Sequence, residues 1–220
     1  MEHPKLTNEE MLKRVVRFKD AKKRPIPLMF IDSVLPRHQR VNYAIIGDTA
    51  SENPNIKPSL TGEHKFQIGM FTAQPKCGPA WHTHDYIELF MPLTGKWKFY
   101  WGDDADGTIQ GSAVLGPWDM ISCPPGKWRS FENVGKEEAL MFAVLEPHEQ
   151  FRFKDPYWGT QVLEQAAALG FHADDSGKMI KPANFAEVEK QLYDKLVRKK
   201  KAPAKKSASK KPSQKTAKRK

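Results

Sequence analysis

The 220-residue chain is long enough for one domain of generous size with extensions, and its 39% hydrophobic content is modest. Its formal net charge of +10 is unevenly spread, because residues 199–220 hold ten lysines and one arginine without any acidic residue. Subtracting these 11 from the 36 basic residues leaves 25 against 26 acidic residues in 1–198, a net charge of −1. The excess positive charge therefore belongs to the C-terminal segment.

Cysteine content and hydropathy exclude two classes of protein. The two cysteines, Cys77 and Cys123, do not make a disulfide framework, which favours a reduced, cytoplasmic compartment. The longest purely apolar run, Ala139–Leu145, is far too short to cross a bilayer. The first residues carry charge without an apolar core, so we expect no secretory signal. The composition therefore predicts a soluble, cytoplasmic protein without a membrane span.

Residues 1–27 are predicted to form a helical extension. Thr7 and Glu10 have the spacing of a capping box, which satisfies free N–H groups at the start of a helix. The apolar residues that follow the helical spacing of three and four are Leu12, Val15 and Val16. The helix should end before Pro25 and Pro27, because proline removes a backbone donor and restricts the residue ahead of it.

Residues 28–150 are predicted to form an all-β barrel. Short strands are expected at three places ahead of its central part: 28–32, 41–46 and 66–72. They could add to one sheet or pair with a second subunit. Residues 48–62, rich in Asn, Pro, Ser and Thr, are predicted to form a long loop. From 77 to 145 short strands alternate with Gly, Pro and Asp turns, of which 103–107 is the clearest.

Residues 151–198 are predicted to form two helices that cover the barrel exterior or a dimer contact. The first, at 158–170, should end at Gly170, because glycine readily takes the left-handed C-terminal position. The second, at 184–198, has an apolar stripe of Phe185, Val188, Leu192, Leu196 and Val197. Residues 199–220 are rich in Lys, Ala, Ser and Pro, which bury too little apolar surface to fold, so this basic tail should be disordered alone.

Within the barrel, residues 78–88 carry the densest set of polar side chains. His82 and His84 are two residues apart, so they point to the same face if the segment is extended, and Glu88 has the same parity. Two imidazoles and one carboxylate on one surface form a facial set of metal ligands with positions left open. Such a set suits Fe(II), Mn(II), Ni(II), Co(II) or Zn(II).

The spacing His82-x-His84-x3-Glu88-x6-Gly95 resembles the first motif of the cupins, which are small double-stranded β-barrels. Residues 119–133 resemble the second cupin motif, and together the two motifs span 77–133. The resemblance implies an all-β, double-stranded β-helix (a jelly-roll barrel) with N- and C-terminal helical extensions. It also implies that His82, His84 and Glu88 bind metal. Cupins include dioxygenases, isomerases, lyases, storage proteins and ligand sensors, so the fold alone does not give the activity.

Two positions depart from the cupin pattern. Trp118 stands where the second motif has glycine, and Arg129 stands where it has histidine, the fourth metal ligand. At about 5 Å and an effective dielectric near 20, Arg129 would repel a 2+ ion by roughly 6–7 kcal/mol before compensation. Arg129 could turn to the rim, clamp an anionic substrate group, or pair with Glu88 and replace the metal. We favour the first two arrangements, because in the third the two histidines would have no metal to bind. His148 is a further candidate for the missing fourth ligand.

Aromatic residues crowd the same region. Trp97, Phe99 and Trp128 are predicted to line an apolar pocket for an aromatic or similarly flat substrate, or alternatively to fill the barrel core. Arg129 is a candidate for both substrate binding and catalysis, and Tyr86 is a further candidate catalytic residue.

Three functional hypotheses follow. The first is a metal-dependent cupin enzyme, a dioxygenase-like oxidoreductase or an isomerase, acting on a small organic acid or aromatic compound; its metal is expected to be Fe(II) ahead of the alternatives. The second is a non-catalytic ligand-binding cupin whose basic tail contacts nucleic acid by releasing counterions, without reading base sequence. The third is a scaffolding barrel without metal. A homodimer is expected in each case.

Overall fold

The structure is a computed structural model that describes residues 5–27, 30–47, 57–61, 64–146, 156–175 and 177–198. The strands in it are β1 Ile26–Pro27, β2 Val41–Ile46, β3 Gln67–Ala73, β4 His82–Thr83, β5 Glu88–Pro92, β6 Trp97–Gly102, β7 Gly111–Leu115, β8 Ile121–Cys123, β9 Trp128–Asn133, β10 Ala139–Leu145, β11 Tyr157–Trp158, β12 His172–Ala173 and β13 Met179–Ile180. The α-helices are α1 Asn8–Lys13, α2 Phe18–Ala21, α3 Thr160–Ala167 and α4 Phe185–Tyr193. Short 3-10 turns occupy Ile31–Val34 and Pro36–His38, and a π turn occupies Asp194–Arg198.

Two antiparallel sheets form the barrel. The first has the strand order β1-β2-β3-β10-β5-β8, and the second has the order β11-β4-β9-β6-β7. From β3 to β11 the chain crosses between the sheets at nearly every connection, the exception being the β6–β7 hairpin. This winding is the topology of a double-stranded β-helix, as the sequence predicted.

The core lies between the sheets and is largely aromatic. Phe71 and Phe90 of the first sheet meet Trp97, Phe99 and Phe131 of the second, with the Phe99 and Phe131 rings stacked at a centroid distance of 4.3 Å. The Phe71–Trp97 and Phe90–Phe99 pairs, at 5.8 and 5.6 Å, join the two sheets directly. Such contacts combine large apolar burial with favourable ring geometry, so they fix the distance between the sheets.

The N-terminal extension differs from its prediction in one respect. The capping box forms, with the Thr7 hydroxyl accepting from the Glu10 amide and the Glu10 carboxylate accepting from the Thr7 amide, but the helix already ends at Lys13. Leu12 and Val15 are 59% and 52% exposed, so the predicted apolar stripe does not pack as a unit. Val16 instead contacts a separate apolar cluster with α2 and β2.

The strand predicted at 28–32 is wrong for the residues that the structure describes. Ile31–Val34 is a 3-10 turn, and the short strand β1 precedes it and pairs with β2. The turn buries Asp32 completely and brings its carboxylate to Arg40, which a strand would not do. The ranges 41–46, 66–72 and 139–145 match β2, β3 and β10 to within a residue.

The C-terminal region is part of the barrel as well as a cover for it. β11 pairs with β4 and extends the second sheet, with Trp158 opposite His82. After α3, Gly170 has a φ of +82°, the left-handed conformation predicted for a helix end. The helix predicted at 184–198 is α4 followed by the π turn. Residues 199–220 lie outside the described residues, and no described helix combines the length and apolarity that a membrane crossing requires.

Candidate metal and ligand site

His82, His84 and Glu88 come together at one end of the barrel. Each is buried, with 4%, 6% and 6% exposure, and one ligand atom from each lies within 4.8 Å of the other two. They do not share one extended strand, because residues 84–87 cross from the second sheet to the first between β4 and β5. The three donors therefore converge from two sheets. Their spacing and chemistry fit a divalent transition metal.

Both imidazoles are held in the neutral form that a metal ligand requires. Burial lowers the pKa of His82 well below 6.5, and the nearby Arg129 charge lowers it further; the same two causes act in the same order on the pKa of His84. The Nδ1–H of His82 donates to the Ala80 carbonyl at 2.6 Å, which leaves Nε2 as its ligand atom.

His84 lies between two polar partners. Its Nδ1 is 2.7 Å from the Tyr86 hydroxyl, and the two rings stack with centroids 4.4 Å apart. Its Nε2 is 3.2 Å from Glu88 Oε2. Tyr86 therefore holds the ring orientation of His84, as outer partners of metal-binding histidines commonly do.

Arg129 does not turn to the rim, which corrects one of the two arrangements that we favoured. It is 1% exposed and lies opposite His82 in the β4–β9 pair. Its Nη2 donates to Glu88 Oε2 at 3.0 Å and its Nη1 donates to the Lys127 carbonyl at 3.1 Å, while Nε has no partner. The Glu88 carboxylate thus offsets the guanidinium charge, and the pairing with Glu88 that we had placed third is the one in the structure.

A second buried ion pair supports the site and was missed by the sequence analysis. Asp32, which is fully buried, accepts from Arg40 Nη1 at 2.9 Å and from Nη2 at 3.2 Å. Asp32 also accepts from the Ala80 amide at 3.1 Å, and the carbonyl of Ala80 is the one that orients His82. Asp32 is therefore a positioning residue for His82.

A cavity of about 90 Å³ opens beside the three donors. Its polar lining includes Arg40 and Asn42 in addition to His82, His84, Tyr86 and Glu88. Its apolar lining includes Phe30, Phe71, Phe90, Ala143, Leu145 and Trp158. Asn42 lies on the otherwise apolar strand β2, and Arg40 directly precedes this strand with the same parity as Asn42. Two polar residues of one parity beside apolar ones were a signal that could have identified them.

Trp97, Phe99 and Trp128 are not among the described residues that line this cavity. Trp97 and Phe99 have no exposure and lie one layer behind Phe71 and Phe90, in the core. Trp128 packs outside the barrel core, in the cluster that includes α3. The structure thus places these residues as packing residues, the alternative that the sequence analysis left open.

Two other residues bear on the site. Cys123 lies opposite Glu88 in the β5–β8 pair, and burial raises the pKa of its thiol to about 11. A thiol that is protonated at neutral pH is not a ready nucleophile. His148, the suggested alternative ligand, lies outside the described residues.

No protein-family model and no curated protein matches this sequence. A cupin 2 domain-containing protein from Halorhodospira halophila is 16% identical with a TM-score of 0.37, covering 48% of this chain and 66% of that chain. An uncharacterized conserved protein with a double-stranded β-helix domain from Klebsiella pneumoniae is 19% identical with a TM-score of 0.34, covering 41% of this chain and 74% of that one. A structure of DMSP lyases is 15% identical with a TM-score of 0.40, covering 54% of this chain and 52% of that chain.

The chain thus spans about half the length of the DMSP lyase structure that it matches. The strand order and the motif positions identify the fold more firmly than these partial likenesses do. Three features identify the fold: the winding of the two sheets, the segments 78–88 and 119–133, and the buried cluster of His82, His84 and Glu88. This chain therefore has the double-stranded β-helix fold of the cupins.

Proposed function

We propose that the chain is a metal-dependent enzyme acting on a small organic acid. His82, His84 and Glu88 hold a divalent transition metal; Fe(II) is the first expectation, and Mn, Ni, Co and Zn share its donor preferences. The observation that carries the proposal is the buried cluster of three donors beside a cavity. A metal bound there would supply Lewis-acid chemistry and, in the case of iron, the redox chemistry of a dioxygenase-like oxidation.

The size of the cavity favours a small acid over an aromatic substrate. Its volume of about 90 Å³ is below the roughly 150 Å³ of an engineered protein cavity that binds benzene. Phe71, Phe90 and Trp158 surround the site with apolar surface, which excludes water and strengthens every electrostatic interaction inside.

Arg129 and Tyr86 support this chemistry through the ligands. Arg129 donates to Glu88, which fixes the carboxylate and offsets its charge before any ligand binds. Tyr86 holds His84 through a 2.7 Å hydrogen bond and also lines the cavity, so its hydroxyl is placed to exchange a proton with a bound molecule.

Metal analysis of the purified protein tests the proposal. Elemental analysis should find about one transition-metal ion per wild-type chain and almost none in a His82→Ala, His84→Ala variant. The control is His172→Ala, because His172 is an exposed residue of β12 and should not affect the metal content. Oxygen consumption with a panel of small carboxylic acids then tests the dioxygenase-like activity. If neither the wild type nor the double variant contains metal, the proposed metal centre is wrong.

A second candidate function is nucleic-acid contact through residues 199–220. The supporting observation lies at residues 13–24, which we call the basic N-terminal segment. It has seven Lys and Arg residues against Asp20, and all seven basic side chains are exposed. Phe18 and Ala21 of this segment pack in one cluster with Tyr193 and Val197. Val197, two residues ahead of the basic tail in the sequence, therefore packs against this basic segment.

A groove lies between these elements, lined by the basic residues Arg24, Lys57, Lys190 and Arg198 and by the acidic residues Glu189 and Asp194. Arg198 pairs with Asp194 at 2.8 Å, and its guanidinium lies 5.7 Å from the centre of the Tyr193 ring. A polyanion that follows the tail could continue along this groove, because phosphate contacts depend on charge and not on base sequence.

Fluorescence anisotropy with a labelled 20-base-pair DNA tests this second function. The full chain should bind with an affinity that falls steeply with salt, and the chain ending at Arg198 should bind at least about tenfold more weakly. Lys22→Gln, Lys23→Gln, Arg24→Gln should also weaken binding, whereas the control Lys96→Gln, Lys136→Gln should not. Binding that is undetectable at low salt would remove nucleic acid from the proposal.

The homodimer expected from the sequence stays a prediction. Exposed apolar side chains at Val114, Trp118 and Met120, with 56%, 70% and 62% exposure, would be covered in such a dimer. Light scattering measures the mass directly, and a mass of one chain would contradict this prediction.

A further inference from the structure

Three buried N–H donors on residues that line the cavity have no hydrogen-bond partner among the residues that the structure describes: Arg40 Nε, Asn42 Nδ2 and Trp158 Nε1. Arg40, Asn42 and Trp158 are 3%, 4% and 5% exposed. A buried donor without a partner costs about 1–3 kcal/mol, and native structures rarely leave several of them at one place. The missing partner is therefore a molecule that enters the cavity.

The guanidinium of Arg40 is fixed before any ligand arrives. Asp32 accepts from its Nη1 and Nη2, and the His38 carbonyl accepts a further hydrogen bond from Nη1. Only Nε is left without a partner. Because the group is already ordered, a ligand that binds Nε does not have to immobilise a flexible side chain.

The three donors without a partner define the chemistry of the ligand. All are N–H groups, so the ligand must present acceptor atoms, and a carboxylate presents two acceptor oxygens without a donor. The charges of the site favour an anion as well. Arg40 is offset by Asp32 and Arg129 is offset by Glu88, so a bound dication would leave a net charge of about +2 in an apolar cavity. A carboxylate reduces this charge, whereas a neutral ligand does not.

We propose that Arg40 Nε and Asn42 Nδ2 form the carboxylate-binding subsite for a compact, largely apolar organic acid. This inference rests on the proposed function, because it names the substrate class of that same cavity. The cavity volume of about 90 Å³ corresponds to roughly three water molecules, which suits an acid about the size of propanoate. The apolar end of the acid contacts Phe71, Phe90 and Leu145.

Isothermal titration of the purified protein with propanoate and with propionamide tests the subsite. Propionamide has nearly the same shape but no charge and only one acceptor oxygen. The wild type should bind propanoate at least tenfold more tightly than propionamide. In Asn42→Asp the N–H donor is replaced by a carboxylate whose charge repels the acid, so propanoate binding should weaken at least tenfold.

The matched control is Thr72→Val, a buried polar-to-apolar change on the adjacent strand. Thr72 is 6% exposed and is not among the described residues that line the cavity. This variant should bind propanoate as the wild type does. If Asn42→Asp does not fold, as judged by circular dichroism, Asn42→Leu removes the donor without adding charge and should weaken propanoate binding several-fold.

Three results would overturn the subsite: no heat of binding with propanoate, equal affinity for propanoate and propionamide, or wild-type affinity in both Asn42 variants. Metal content is measured on the same samples, so that the two proposals can fail separately. A sample without metal that still prefers propanoate overturns the metal centre and supports the subsite. A sample that contains metal but shows no preference for propanoate overturns the subsite and supports the metal centre.

Discussion

Asp32 shows how much of the site depends on a single residue far from the motif. Its carboxylate has no exposure and receives hydrogen bonds from Arg40 and from the Ala80 amide. It therefore holds a guanidinium that lines the cavity on one side and the peptide that orients His82 on the other. An ion pair that is buried this completely makes the fold specific but does not guarantee a large net stabilisation.

Replacing Asp32 by Asn tests its importance for stability. The change leaves the Arg40 charge buried without an opposite charge, so the free energy of unfolding should fall by about 3–5 kcal/mol. The comparison is Glu132→Gln, which breaks the ion pair with Arg37. The Arg37 side chain is 71% exposed, so this change should lower the free energy of unfolding by at most about 1 kcal/mol. Urea unfolding followed by tryptophan fluorescence measures both values, and equal losses would contradict the prediction.

The lowered pKa values of His82 and His84 predict a stability that falls in acid. The folded state keeps these imidazoles neutral below 6.5, whereas the unfolded chain protonates them there. The unfolded state then binds more protons, so the stabilisation is complete above pH 6.5 and is lost as the pH falls below it. Each histidine should contribute a slope of up to about 1.4 kcal/mol per pH unit.

Urea unfolding of metal-free protein between pH 5 and pH 8 measures this slope. Burial also lowers the pKa of His38, so the wild type is compared with a His82→Gln, His84→Gln variant that retains His38. The variant should show a flatter dependence below pH 6.5. Parallel curves for the two proteins would mean that the two histidines are not held neutral.

At the scale of elements, the approach of residues 76–79 to β9 sets the position of β4. Lys76 donates to the Asn133 carbonyl at 2.7 Å, and Asn133 donates back to the Cys77 carbonyl at 3.0 Å. Gly78 lies so close to β9 that an added Cβ would stand 1.9 Å from the Phe131 carbonyl oxygen. Any side chain at Gly78 would push this segment away from β9 and would move His82 with it.

The substitution Gly78→Ala should therefore destabilise the protein by several kcal/mol, which is beyond the usual cost of about 1 kcal/mol for a point change. Gly126→Ala is the comparison, because Gly126 has a φ of +75° but no atom within 4 Å of its added Cβ. It should show only the backbone cost of about 1 kcal/mol. Thermal unfolding distinguishes them, and a Gly78→Ala melting temperature at or above that of Gly126→Ala would refute the prediction.

At the scale of the whole molecule, the excess positive charge and the buried ion pairs lie in different parts of the chain. The barrel region contains two buried ion pairs, Arg40 with Asp32 and Arg129 with Glu88. The excess positive charge of the sequence lies in residues 199–220, and the basic N-terminal segment adds seven exposed Lys and Arg side chains. In the proposed nucleic-acid contact, the tail would bind a polyanion without disturbing the cavity.

Removal of residues 199–220 should therefore leave the fold intact. The chain ending at Arg198 is expected to unfold within about 0.5 kcal/mol of the full chain, and its affinity for propanoate should be unchanged. Chemical unfolding and titration check the two statements. A loss of several kcal/mol would show that the tail packs against the barrel and would contradict the separation.

The sequence by itself determined the double-stranded β-helix fold and the cluster of His82, His84 and Glu88. The positions of His82, His84 and Glu88 follow from motif spacing, and β2, β3 and β10 follow from short apolar segments between turn residues. These are local signals, because side-chain alternation and turn chemistry act over a few residues. Local signals were also sufficient for the N-terminal capping box and for the helix end at Gly170.

Only the tertiary structure decided which residues meet in the cavity. Arg40, Asn42 and Asp32 are 46 to 56 residues from Glu88 along the chain, and nothing in local spacing brings them to it. The way the two sheets face each other decides that Arg129 pairs with Glu88. It also places Trp97 and Phe99 behind the cavity wall. Burial then selects these pairings, because a charge removed from water must find its opposite nearby.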